Sequence, residues 1–232
     1  MIVPLHIGGP HAQGPVAAGA AIAWTEDGSA YIARNGTTQR VAAGEAIGID
    51  GKYVVVLRAG RLTIGARERR VDATDGRWGS GHLLTVHLDP DGRVSVVVDG
   101  RTIEHVRGDN PHVYPGQINA RYAVWTAGGA GRYRVERYDL QTRRVLRIPG
   151  DAPARPQYGA AVDSKGSVYF ARSGFACGGG TLFRWRAGVT TKLATLKRSE
   201  DYGSAWFAGA SVYFDLGDCA GRSQRLVRLR VG

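Results

Sequence analysis

Tyr158 to Phe170 reads YGAAVDSKGSVYF, and the same grammar returns without a gap at Tyr202 to Phe214 as YGSAWFAGASVYF. In each copy an aromatic and a glycine lead into a short apolar run. A turn of small residues follows, and Ser-Val-Tyr-Phe then opens a second strand, which makes each copy a hairpin. The copies lie about 44 residues apart, a spacing that belongs to β-propeller blades or β-solenoids, where one supersecondary unit is stacked many times.

Downstream of the first copy, Thr181 to Arg186, a turn at Ala187-Gly188, and Val189 to Leu196 complete a unit of four strands. After the second copy only Arg225 to Val231 remains, one outer strand short. Ile2 to Ile7 at the other end of the chain can supply it, and Pro4 suits an edge position because proline cannot donate to a central ladder. Residues 2–7 beside Arg225 to Val231 would complete the last blade and close the ring, leaving no free strand edge.

Upstream the same pattern recurs. Ala20 to Thr25, a reversal at Glu26-Asp27-Gly28, Ser29 to Arg34, the hairpin signal Asn35-Gly36 and Thr37 to Val41 form one unit, preceded by the small-residue segment Gly14 to Gly19. Lys52 to Arg58, Arg61 to Gly65 and Arg69 to Ala73 form the next. His82 to Leu88, Arg93 to Val98 and Arg101 to Val106 follow, then Tyr122 to Thr126, Arg132 to Leu140 and Arg144 to Ile148. No stretch carries helical periodicity. In the first three units the inner strand must come from segments such as Glu45 to Asp50; three-stranded units, or a ring of five or seven, are the alternative.

These units resemble a six-bladed β-propeller. The predicted fold class is all-β, with four-stranded antiparallel blades and a ring closed by the N-terminal strand. Within the fifth unit, Ala161 to Arg172 (AVDSKGSVYFAR) resembles the strand-turn-strand signature of the NHL-like and TolB-like propellers. Leu88 to Gly92 (LDPDG) is similar to the TolB-type turn, although such propellers tend to repeat Ser-Pro-Asp-Gly in most blades and here only Asp89 to Gly92 comes close.

A chain of 232 residues with 43% hydrophobic content has enough core for one domain over residues 1–232. No run of around 18 apolar residues is present, so no membrane span is expected, and Met1 to Gly9 lacks the pattern of a signal peptide. The formal charge is +11, and only Lys52, Lys165, Lys192 and Lys197 of the basic residues are lysines. Arginine-rich chains suit phosphate or carboxylate polymers, while GC-rich coding gives the same excess of Arg, Ala and Gly.

Cys177 and Cys219 occupy equivalent loops of adjacent units, so a disulfide between them is expected, and with it an oxidising compartment and a secreted or cell-envelope location. Free thiols are the alternative. The candidate ligand-binding residues are the aromatics that precede a glycine or Pro-Gly near the inner strands, Trp78, Tyr114, Tyr158 and Tyr202. The loop histidines His11 and His112 and the neighbouring polar Arg155 and Gln157 join them, with Asp75, Arg77, Asp109, Asn110 and Asp201 as further polar contacts. Repeat symmetry would ring these aromatics around the funnel mouth, where they suit sugars, cations or apolar ligands; wedging between blades as packing is the competing role.

Arg132, Arg134, Arg184, Arg186, Arg228 and Arg230 alternate with apolar residues and are expected to form a basic rim, either solvated or holding an acidic polymer. The chain has no Gly-x-Ser-x-Gly elbow, His-Glu-x-x-His, phosphate loop or dinucleotide fingerprint. No catalytic residue, metal or cofactor is expected. The expected function is a monomeric binding module that takes a small ligand, saccharide or protein partner at the funnel. The alternative implied by the resembled families is a lyase or lactonase with its site in the central channel, for which His11, His112, Glu45, Asp109, Asn119 and Asp201 are the candidates.

Overall fold

The structure is a computed structural model that describes residues 2–130, 132–149, 156–173, 179–197, 199–218 and 223–231. The described residues form 24 strands and no helix. β1 (Ile2–Pro4) opens the chain. Blade one is β2 (Gln13–Ala18), β3 (Ala21–Glu26), β4 (Ser29–Arg34) and β5 (Thr37–Ala43); blade two is β6 (Glu45–Asp50), β7 (Tyr53–Arg58), β8 (Arg61–Ile64) and β9 (Arg67–Arg70). Blade three is β10 (Asp75–Gly79), β11 (His82–Leu88), β12 (Val94–Val98) and β13 (Arg101–Val106). Blade four is β14 (His112–Ile118), β15 (Tyr122–Gly129), β16 (Arg132–Asp139) and β17 (Arg144–Arg147). Blade five is β18 (Gln157–Val162), β19 (Val168–Ser173), β20 (Gly180–Arg186) and β21 (Val189–Thr195). β22 (Glu200–Ala208), β23 (Ser211–Asp218) and β24 (Gln224–Arg230) begin blade six, and β1 completes it.

The ring is thus a six-bladed propeller closed as the sequence predicts, by β1 antiparallel to β24 with Ile2 opposite Leu229 and Pro4 opposite Val227. The closing strand is shorter than residues 2–7. Pro4 ends it and one further bond, Leu5 N–H to Leu226 O at 3.0 Å, extends the pairing before His6 turns into the left-handed region at φ 52°. The inner strand of blade two is the expected Glu45–Asp50. That of blade one is Gln13–Ala18, a segment whose Gly, Ala and Pro content hides it from strand propensity.

The two copies of the sequence repeat pair with a one-residue difference in register: Ala161 faces Tyr169, whereas Ala205 faces Phe214. The turns explain it. In blade five Asp163 Oδ1 accepts the Lys165 and Ser167 N–H groups at 2.9 and 2.8 Å and closes a loop over Ser164, Lys165 and Gly166. In blade six only Gly209 and Ala210 separate the paired Ala208 and Ser211.

Alternation along each strand gives every blade two apolar faces, and each meets a neighbour. Six clusters result, one per blade junction. Between blades three and four, Leu84, Val86 and Val96 pack on Ile118 and Trp125. Ala12, Trp24 and Leu226 seal blade six against blade one. At the outer end of the junction between blades three and four, Glu104 and Glu136 share a site with Arg134. Burial and the neighbouring carboxylate push Glu104 up to about 7, while Glu136 is held down by Glu104, Arg134 and Arg147. Near the axis the inner strands come so close that only glycine fits. A Cβ at Gly79 would lie 1.9 Å from Ile118 O of the next blade, and one at Gly116 would lie 2.2 Å from Ala160 O.

Candidate functional site

The first residues of the inner strands line a chamber of about 470 Å³ on the ring axis, with contributions from all six blades. A second chamber of about 550 Å³ joins it at the junction of blades six and one, sharing Gln13, Tyr202, Gly203, Asp215 and Gln224. One or two residues further along the strands, Gln117 ties the inner strands together. Its amide donates to Phe207 O at 2.9 Å, and its Oε1 accepts the Phe207 and Val162 N–H groups at 2.8 and 3.1 Å. One buried side chain on blade four therefore ties together blades five and six.

On one wall the rings form a ladder. His112 stacks on Tyr114 (centroids 6.3 Å apart), Tyr114 meets Tyr133 at 5.8 Å, and Tyr133 meets Tyr158 at 5.3 Å. Tyr114 remains 48% exposed, so its ring is available to a ligand. Burial, the adjacent Tyr133 and Tyr114, and Asp201 push the Tyr158 phenol up to about 12, so the group is a neutral hydrogen-bond donor at neutral pH.

The lining contributed by the flanking blades three and six carries charge. Arg77 on β10 is bonded to Gly76 O (2.7 Å), Asp75 Oδ1 (3.2 Å) and, across the axis, Ser204 Oγ (3.5 Å). Asp215 on β23 lies 4% exposed, with Oδ2 over Gly203, where a Cβ would come within 2.0 Å. Burial raises the Asp215 pKa to about 6, against its own amide, the amides of Gly14 and Ser204, and Arg77. Its Oδ1 has no hydrogen-bond partner among the described residues. At the mouth, the surrounding walls and Asp75 raise Glu45, and Arg77 pulls the other way.

No protein-family model and no curated protein matches the sequence. Solved structures do. The protein assigned as TolB in Agrobacterium tumefaciens matches with 14% identity and a TM-score of 0.59, over 96% of this chain and 91% of that one. The calcium-binding protein regucalcin of the same organism matches with 13% identity and a TM-score of 0.56, over 96% and 91%. A puromycin-hydrolyzing peptidase of Mycobacterium tuberculosis matches with 12% identity and a TM-score of 0.55; 95% of this chain spans 52% of that one, about half its length. What they share with this chain is the propeller.

Of the residues singled out in the sequence, the propeller places Tyr114, Tyr158 and Tyr202 on the chamber lining, and His112 stacks on Tyr114. The Tyr202 ring packs on Phe214 at 5.0 Å and its hydroxyl donates to Gly159 O at 3.2 Å, so it holds blade six to blade five. Trp78 is not on the chamber: it lies between blades two and three with Ile47, Leu57 and Leu83, and Arg77 beside it faces the axis instead. Gln157 is buried, accepting from Val135 N–H at 2.8 Å and donating to Pro149 O at 3.3 Å. His11 is exposed on the second chamber. Arg155, Cys177 and Cys219 lie outside the described residues.

Of the channel-enzyme candidates, Glu45 lines the first chamber and Asp201 the second. Asn119 caps the far hairpin of blade four, accepting the Arg121 and Tyr122 N–H groups. Among the described residues, no three of His, Cys, Asp and Glu form a metal-ligand group. Arg132, Arg134, Arg184, Arg186, Arg228 and Arg230 sit on third strands, with Arg134 paired to Glu104 and Glu136. The outermost strand richest in arginine is β9, where Arg67, Arg69 and Arg70 are exposed.

Sequence reading missed Tyr133 and Asp215, whereas Asp75 and Arg77, expected as polar neighbours of the aromatic set, do line the chamber. Tyr133 falls on a third strand and reaches the ladder only through blade packing. Asp215 follows Ser-Val-Tyr-Phe in the repeat, where blade five has Ala171. That exchange of alanine for a carboxylate was the available signal.

Proposed function

We propose that the chain is a binding module whose ligand sits in the axial chamber against the tyrosine ladder. The ligand is a small molecule, a saccharide or a segment of a protein partner. The observation that carries this reading is the Tyr114, Tyr133 and Tyr158 ladder beside the axial chamber, whose lining also carries Glu45, Asp75, Arg77 and Asp215: an aromatic wall with polar groups around it. Burial of an aromatic face against a sugar ring, a cation or an apolar group is favourable, and the polar groups around the wall set orientation.

A thermal-shift panel of saccharides, amines and apolar acids tests it. A ligand at 100 times its Kd adds about 2.7 kcal/mol, or about 5 to 11 °C in Tm for a chain of this size. The wild-type protein should show such a shift with one class, and Tyr158→Ala should lose most of it. An equal shift in Tyr158→Ala would remove the ladder from the account.

The same reading makes the chain a monomeric single domain working in the cell envelope or outside the cell. Support comes from the disulfide expected of Cys177 and Cys219. Alkylation under denaturing, non-reducing conditions should leave the mass unchanged, and two added alkyl groups would contradict that location.

A further inference from the structure

We propose that the joined chambers bind a small organic ammonium ion, with its N–H groups on Asp215 Oδ1 and its apolar body against Tyr158 and Tyr114. The inference rests on the binding-module reading and deepens it.

The protein as a whole carries +11, yet Glu45 and Asp75 face the first chamber, Asp27 and Asp201 face the second, and Asp215 faces both. Among the described residues, Arg77 is the one Lys or Arg on either lining. A concave surface with an excess of negative groups and low-dielectric walls focuses its field on the opposite charge.

Asp215 is 4% exposed and lines both chambers, and among the described residues its Oδ1 lacks a hydrogen-bond partner. A buried carboxylate oxygen without a donor is costly, and an ammonium N–H placed there would make a charge-assisted bond. Arg77 does not fill that role, since its described bonds go to Asp75, Gly76 and Ser204. The tyrosine ladder supplies faces for the carbon body and, at its edge, for the charge itself.

The pH dependence has a definite sign. Asp215 has a pKa raised to about 6. The groups around it are Arg77 and Asp75 from β10, Glu45 from β6 and Tyr202 from β22 on the first chamber, with Asp201, Asp27 and His11 around the second and Asp218 on its own strand. Below that pKa the carboxyl is protonated and must release its proton to accept the ammonium. Affinity should therefore rise about tenfold from pH 5 to pH 7 and then level off, while a primary amine stays charged to about pH 9.

The test is calorimetric titration of the full chain with 2-phenylethylamine, 2-phenylethanol and phenylacetate at pH 5, 6 and 7. The expected result is binding of the amine at least tenfold tighter than the alcohol or the acid, with the stated rise over pH. Asp215→Asn should lose that preference and the pH dependence, and Tyr158→Leu should weaken the amine while keeping its pH profile. Equal binding of the amine and the alcohol would overturn the ammonium assignment and leave the aromatic chamber standing; no binding of any of the three, with no hit in the wider panel, would sink both. Should Asp215→Asn fail to fold, the wild-type pH profile and the amine-to-alcohol ratio decide alone. A blocked lysine peptide run alongside separates a free amine from a partner's side chain, and tenfold tighter binding of the peptide overturns the small-molecule source.

Discussion

Gln117→Leu should destabilise the protein by about 4 kcal/mol, since each buried polar group left without a partner costs about 1 to 3 kcal/mol. The side chain is 4% exposed, and its loss strands three backbone groups at once: Phe207 O, Phe207 N–H and Val162 N–H. Those groups belong to blades five and six, so the substitution unties three blades near the axis without touching a strand ladder. Thermal denaturation should show Tm lower by about 8 to 16 °C. Gln117→Glu gives a second reading of the same contact. It keeps the acceptor for the two N–H groups but, when ionised, faces Phe207 O with no donor. Burial should raise the introduced carboxyl, so its stability is highest at low pH and falls as pH rises through that raised value. A loss under about 1 kcal/mol in Gln117→Leu would mean that the amide is replaced by water and does not hold the blades.

Gly116→Ala should cost about 3 kcal/mol, at the upper end for overpacking, which runs about 1 to 3 kcal/mol and sometimes more. The new Cβ would stand 2.2 Å from Ala160 O and 2.9 Å from Val124 O. Both are backbone atoms, one in the neighbouring blade and one in the same sheet, so neither can rotate away. Relief requires blades four and five to part at the axis, where Tyr114 and Tyr158 form their wall. Gly217→Ala is the control, because the nearest atom to a Cβ there is Gln224 Cγ at 3.7 Å. It should be neutral or stabilising by about 0.5 kcal/mol, the gain expected for alanine over glycine in a strand. Urea denaturation of the two variants separates steric cost from the general effect of losing a glycine.

The architecture was legible because a propeller repeats its grammar. The Tyr158 and Tyr202 copies gave the hairpin, the deficit after Arg225 gave the closing strand, and Asn35-Gly36 marked a two-residue turn in which both residues do adopt positive φ. What the sequence hid were inner strands built of small residues. Gln13–Ala18 carries one glycine, one proline and two alanines because neighbouring strands crowd the axis, and those same residues erase the propensity signal.

The chamber was legible only in part, and for a different reason. Tyr114 and Tyr158 precede glycine-containing steps and do line it, but Trp78, chosen by the same rule, points into the junction of blades two and three. β10 pairs with β11 without the bulge that shifts β14, β18 and β22 partway along. Each bulge adds a residue and changes which side chains meet the axis. In blade three the axis therefore receives Asp75 and Arg77. Tyr133 and Asp215 reach the site from strands outside the innermost layer, through contacts that close only when the blades are assembled. No local pattern announces them.

The measurement that tests the central claim most directly is mapping of amide chemical shifts during titration with whichever ligand class stabilises the protein. The account predicts that shifts concentrate at Gly116, Gly159, Ser204 and Asp215, around the axial chamber. Shifts confined to Arg67 to Arg70 on the outer edge of blade two, with the chamber silent, would contradict it and move binding to the basic rim.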